Sequence, residues 1–312
     1  MFKPPAASLL LPQPVRITRF LAGFAIALTT VTLAWLINGL DRGLDLTDES
    51  FYLLGALHPD NIRLFASATH WVSGALWQMS GSLVAFRALG LGLATASAML
   101  LAWGVLCLAP RIGLAAATDR FSHAAVLATS ISGAFLYGSF VSFTPSYNLL
   151  GASGACFSIG LGLLSIADNR YAGRASVLAA LAGLTLGVTV LCKFSSGLCT
   201  AGLLLVLQAV MTWKRPGGRL DSLLMVACAF AAIGAAMLWT TGVLEAIRQF
   251  RAGLEIVWSA QGDKTTSGRL VRSALDIGGM LAGVLTSFGG PLACFALGVF
   301  WRPVMLGCLG AA

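Results

Sequence analysis

Ser82-Leu83-Val84-Ala85-Phe86-Arg87-Ala88-Leu89-Gly90 continues as LGLATASAML and LAWGVLCL to Leu108, an apolar stretch whose only charge is Arg87. About 20 such residues suffice for a helix to cross the hydrocarbon core of a bilayer. The same pattern recurs along the chain. Eight predicted spans cover 18–39, 82–108, 122–142, 147–167, 176–192, 196–213, 221–243 and 276–300. The predicted fold class is therefore all-α: a polytopic membrane protein forming one transmembrane domain over 1–312, with large outer loops at about 40–81 and 244–275.

Composition agrees. Of 312 residues, 57% are hydrophobic and 10% charged, against roughly 25% charged in a soluble domain, and the mean hydropathy is +0.85. Water cannot be the solvent for that much apolar surface, and disordered chains are poor in such residues. The lipid bilayer is the first expected partner. The formal charge of +8 does not point to nucleic acid, because the cations sit in short clusters between apolar runs and form no stripe. The seven cysteines include no CxxC pair and fall mostly inside apolar runs, so they read as small core residues.

The clusters set the orientation. Lys3, Arg16 and Arg19, then Arg111 and Arg120, Arg170 and Arg174, Lys214, Arg215 and Arg219, and finally Arg302 fall on one side, which the positive-inside rule assigns to the cytoplasm together with both termini. The second outer loop breaks the trend with Arg248, Arg251, Lys264, Arg269 and Arg272. The first begins Leu44-Asp45-Leu46-Thr47-Asp48-Glu49-Ser50-Phe51-Tyr52. As a helix over 47–57, capped by Thr47 and ended by His58-Pro59, it sets Asp45, Asp48, Glu49 and Tyr52 on one face. Residues 61–80 predict an amphipathic helix along the outer surface.

Like charges on one face need a compensating cation or a use. Arg87 lies about 7–8 Å inside the outer end of its span, which is costly unless it is paired or snorkels. Lys193 closes the fifth span at the same membrane face, and the turn Thr144-Pro145-Ser146-Tyr147-Asn148 faces it. Carboxylates beside cations at a lipid surface suit a phosphate-bearing lipid substrate: cations hold the phosphate, and a carboxylate takes a proton from the acceptor. The spans lack the intramembrane carboxylates typical of ion-coupled carriers.

These segments resemble the membrane-embedded C-type (GT-C) glycosyltransferases, among them the protein O-mannosyltransferases and lipid A aminoarabinose transferases. That superfamily has an Asp-Glu-x-x-Tyr motif in its first external loop, matched by Asp48-Glu49-Ser50-Phe51-Tyr52. Phe86-Arg87-Ala88-Leu89-Gly90, the 144–148 turn and Gly187 through Gly197 around Lys193 match further segments, so the resemblance covers most of 18–213. The chain ends sooner after its eighth span than those relatives do. The resemblance implies transfer of a sugar from a polyprenyl-phosphate donor to a lipid, glycan or protein acceptor at the outer face of a bacterial inner membrane. Asp48 would be the general base with Glu49 supporting it. Arg87 and Lys193 would hold phosphate, with Tyr52, Tyr147, Arg248 and Arg251 completing the substrate set. No resident cofactor is implied, and a divalent metal stays open. The competing readings are a non-catalytic subunit of an envelope pathway and a lipid or solute transporter.

Overall fold

The computed structural model describes residues 13–43, 48–62, 67–112, 120–141, 143–168, 172–212, 218–240 and 242–260, all of it helix, turn or short linker. Ten α-helices follow one another: α1 (Gln13–Asn38), α2 (Asp48–Leu57), α3 (Thr69–Ser80), α4 (Leu83–Leu108), α5 (Arg120–Val141), α6 (Tyr147–Ala167), α7 (Ala172–Cys192), α8 (Phe194–Thr212), α9 (Gly218–Thr240) and α10 (Val243–Ala260). By its contacts the chain, read above as one domain, divides into Met1–Gly253 and Leu254–Ala312. Only the end of α10 is described in the second part.

Among the described residues, six helices are long and apolar enough to cross a membrane, on α1, α4, α6, α7, α8 and α9, and the protein is a multi-pass membrane protein. Apolar side chains cover their outsides: Phe20, Trp35, Val206, Leu223, Phe230 and Leu238 are all exposed, as lipid solvation requires and water would not allow. The predicted span 122–142 corresponds to the 22-residue α5, which is outside those six. The span predicted at 276–300 lies outside the described residues.

Two expectations changed. Of the helix predicted over 61–80, Thr69–Ser80 is helical as α3, Ser67 and Ala68 are linker, and 63–66 lie outside the described residues. Pro59–Asn61 forms a single 3-10 turn. The linker before α3 instead spends its polar groups on the end of α7: the Ala68 N–H donates to the Leu191 carbonyl at 2.8 Å, and the Ser67 and Thr69 hydroxyls donate to the Cys192 carbonyl at 2.5 and 2.8 Å. A helix continuing back through 67–68 would lose those bonds and leave the α7 carbonyls bare. The second change is α10, a helix where the sequence reading placed loop.

α4 packs on α6 and α5, α6 on α7, α7 on α9, and α1 on α5. Without a hydrophobic drive between helices in lipid, close approach through small residues supplies the packing. Gly104 and Gly160 meet where α4 crosses α6, with 2.7 Å from a would-be Gly104 Cβ to the Gly160 carbonyl oxygen. One turn below Arg87, Gly90 lets α4 touch the backbone of Phe143, where any Cβ would collide with the Phe143 carbonyl oxygen. Phe143, Phe135, Leu149, Leu91 and Leu36 form the apolar cluster under that contact. Gly90→Val is expected to destabilise the fold by about 1–3 kcal/mol through overpacking, read as a lower melting temperature in detergent. An unchanged melt would show that the 143–146 turn is not seated on α4.

Candidate functional site

Arg87 lies in the second turn of α4 and is 2% exposed. A guanidinium carries five N–H donors and cannot shed its proton, so burial is tolerable only if those donors are used. All five are. Nε and Nη2 grip the Glu49 carboxylate as a fork, 2.8 Å to Oε1 and 2.7 Å to Oε2. Nη1 donates to the carbonyls of Leu40 and Arg42, both at 2.7 Å, and Nη2 also reaches the Gly43 carbonyl at 3.2 Å. Glu49, 1% exposed, accepts a further hydrogen bond from the buried Thr144 hydroxyl. One side chain thereby fastens three separate segments to α4: the turn leaving α1, the start of α2, and the 143–146 turn before α6. Ser73 of α3 joins the last of these by donating to the Pro145 carbonyl at 2.6 Å, and Ser146 caps α6 by accepting from the Leu149 N–H at 3.2 Å.

Asp48 is the first residue of α2, next to Glu49. Its side chain lies outside the described residues, as do Asp45 and Thr47. Helical spacing sets Asp48 and Tyr52 on one face of α2. The Tyr52 ring lies 5.6 Å, centre to centre, from Tyr147 at the start of α6. The Lys193 ammonium lies over the same Tyr147 ring, 5.0 Å from its centre, and donates to Asn148 Oδ1 at 2.5 Å. Lys193 sits between α7 and α8 and belongs to both hydrogen-bond ladders. Its N–H donates to the Thr189 carbonyl at 2.8 Å, and its carbonyl accepts from the Gly197 N–H at 2.9 Å. Partial burial lowers its pKa below the ordinary lysine value, because the charged form loses hydration.

Beside this end, α7 and α9 are tight at Gly187, where a Cβ would lie 2.5 Å from the Ala229 carbonyl oxygen. Past that point a cavity of about 350 Å³ lies between them, bounded also by α3 and α10. Val188, Leu191, Ala236, Met237 and Phe250 make it apolar, and His70, Ser67 and Gln249 add polar groups. His70 also borders a small pocket with Tyr52 and Ser73. Its burial lowers its pKa below the usual histidine value, and a backbone hydrogen bond with Ser67 and the charge of Asp60 oppose this.

The structure thus brings Glu49 and Arg87 into one cluster and Tyr52, Tyr147 and Lys193 into another, with α2 contributing to both. Arg87, expected to hold phosphate, has its donors committed within the protein. Arg248 and Arg251 lie on the exposed side of α10, where Arg248 approaches Glu245 of its own helix at 3.6 Å. Sequence reasoning missed Thr144 as the third member of the Glu49 cluster and Asn148 as the Lys193 acceptor. It quoted both within the 144–148 turn, but spacing along a turn does not reveal which side chains face across it. It also missed the cavity, whose lining comes from helices distant in sequence.

No family model, no curated protein and no solved structure matches the chain.

Replacing Glu49 by Gln leaves the Arg87 charge buried without its carboxylate and is expected to cost about 3–5 kcal/mol, measured by unfolding in detergent. Adding Arg87→Met to that variant should recover part of the loss, since partners in one network do not add. Strict additivity of the two changes would contradict the coupling.

Proposed function

We propose that the protein is a membrane-embedded glycosyltransferase, moving a sugar from a polyprenyl-phosphate donor to an acceptor at the face where α2, α3, the 143–146 turn and Lys193 meet. In this reading that face is periplasmic, both termini are cytoplasmic, the membrane is a bacterial inner membrane crossed about eight times, and α2 and α3 lie along its surface.

The observation that carries the reading is the convergence at one end of the bundle. The acidic start of α2 is locked in place by Arg87, and an ammonium on an aromatic platform stands beside the same helix. An apolar cavity lined by Leu191 and Phe194, which flank Lys193 in the chain, lies beside that ammonium. A lipid-linked phosphate asks for that combination: a cation for the phosphate, apolar walls for the chain, and a carboxylate for the acceptor.

Asp48 is the general base. It takes the proton of the acceptor hydroxyl or amine as the acceptor atom bonds to the anomeric carbon. The bond from that carbon to the phosphate oxygen breaks, and the polyprenyl phosphate leaves with the electron pair. Lys193 has three N–H donors, one directed at Asn148, and the others are available to the departing phosphate, whose charge grows as the bond breaks. Tyr52 and Tyr147 shape the sugar site as aromatic walls. Glu49 and Arg87 act by position, holding Asp48 at the start of α2.

Asp48→Asn is expected to lower transfer from a polyprenyl-phosphate sugar by about 10²–10⁴-fold, with melting and membrane insertion unchanged. Full activity would remove Asp48 from the reaction, and no transfer by wild type across a panel of such donors would favour a non-catalytic subunit. The lowered Lys193 pKa gives a second test. The ammonium is lost at a lower pH than an exposed lysine, so activity should fall on the alkaline side. Lys193→Arg, whose guanidinium keeps its proton, should shift that limb to higher pH. An identical limb in both proteins would take Lys193 off the phosphate.

A further inference from the structure

The second helix at this end carries an observation independent of sugar transfer. α9 stops at Thr240, and Gly242 adopts φ 80°, a left-handed conformation that breaks the helix and that glycine enters without cost. α10 starts immediately, the Ala246 N–H donating to the Gly242 carbonyl at 3.0 Å. A polypeptide meant to continue across the bilayer has no need for that break.

Residues 243–253 sort into four sides at 100° per residue. Ala246, Gln249 and Phe250 line the cavity, and Gly253 on the same side is buried. Phe250 packs on Phe194 with ring centres 5.5 Å apart. This is the protein side. Directly opposite stand Leu244, Arg248 and Arg251, with Leu244 66% exposed and the Arg248 side chain 69% exposed. Between these sides, one flank is apolar, Val243 and Ile247, both exposed. The other flank carries Glu245 and Ala252.

An exposed apolar flank at right angles to a cationic face, with a polar flank beyond it, matches the order of layers met on leaving a bilayer: acyl chains, phosphates, water. The apolar flank also continues a lipid-facing surface. Leu238 and Trp239 in the last turn of α9 are 71% and 89% exposed, and tryptophan favours the membrane interface. Along the whole of α10, Glu245 and Glu255 equal Arg248 and Arg251 in number, so the helix carries no net positive charge, and the two arginines supply the donors for phospholipid phosphates. We propose that α10 lies in the plane of the membrane surface, with Val243 and Ile247 among acyl chains and Arg248 and Arg251 on phospholipid phosphates. This explains why the outer-loop cations break the orientation rule: these two serve the lipid surface.

The test uses the full wild-type chain in vesicles of phosphatidylcholine and phosphatidylglycerol, doped with phospholipids that carry a photoactivatable diazirine at the chain end or in the headgroup. Labelled peptides are mapped by mass spectrometry. Chain-end label on Val243 and Ile247 with headgroup label on Leu244, Arg248 and Arg251 is the expected pattern. Each of Arg248→Ala and Arg251→Ala should then lower headgroup labelling by up to about fivefold, with labelling of α4 and α9 as the internal control for folding. Label on α9 but none on 243–253 would overturn the proposal. So would protection of 244, 248 and 251 from both probes, which would mean that a protein covers that face.

Discussion

A guanidinium held inside a membrane protein faces a severe accounting of its protons, since no water reaches it and it cannot discharge itself. Arg87 meets that constraint by collecting carbonyls from 40, 42 and 43 and both oxygens of Glu49. The arrangement runs in both directions. The segments that satisfy Arg87 are the ones whose position matters: the exit from α1, the start of α2 and, through Thr144, the turn before α6. Such a buried network adds little net stability compared with an apolar substitute. What it supplies is positional: the five donors are satisfied by these segments where they stand, and a displaced segment would leave a buried donor unpaired.

Much of this was legible before any coordinate. The spans at 82–108, 147–167 and 176–192 follow from apolar length alone, and α4, α6 and α7 occupy nearly the same residues. The demand that Arg87 be paired also follows from its depth in the span. Its partner does not, because Glu49 lies 38 positions away and the acidic stretch offers three carboxylates to choose from. Asp48 and Glu49 are neighbours in sequence, yet helical geometry turns Glu49 inward to Arg87. Chain order therefore pointed to a shared charge site, whereas folding divided its members into a fastening pair and a separate aromatic–ammonium cluster. Residues 67–68 depart from the predicted helix for a related reason. Periodicity in the side chains suited a helix, but the polar groups of Ser67 and Ala68 are claimed by the end of α7, a competitor distant in sequence.

The loop after α9 shows the opposite case. Five cations on the outer side contradicted the orientation rule when counted as a loop. As a helix, the first two gain a direction, and the direction turns an anomaly of charge into a layered surface. The cavity under the same helix is lined jointly by residues of α3, α7, α9 and α10, a meeting of distant segments that no local sequence signal encodes.

The junction at Lys193 has a bearing on how the protein is made. With a single residue joining α7 to α8, and that residue bound into both ladders, the two spans have no slack with which to enter a bilayer one after the other. A hairpin of the two would carry the Lys193 ammonium at its tip, at a cost of about 2.5–3.5 kcal/mol at the bilayer midplane. The apolar arms on either side outweigh that penalty. The consequence of so short a junction is that α7 and α8 behave as one unit on entering the bilayer.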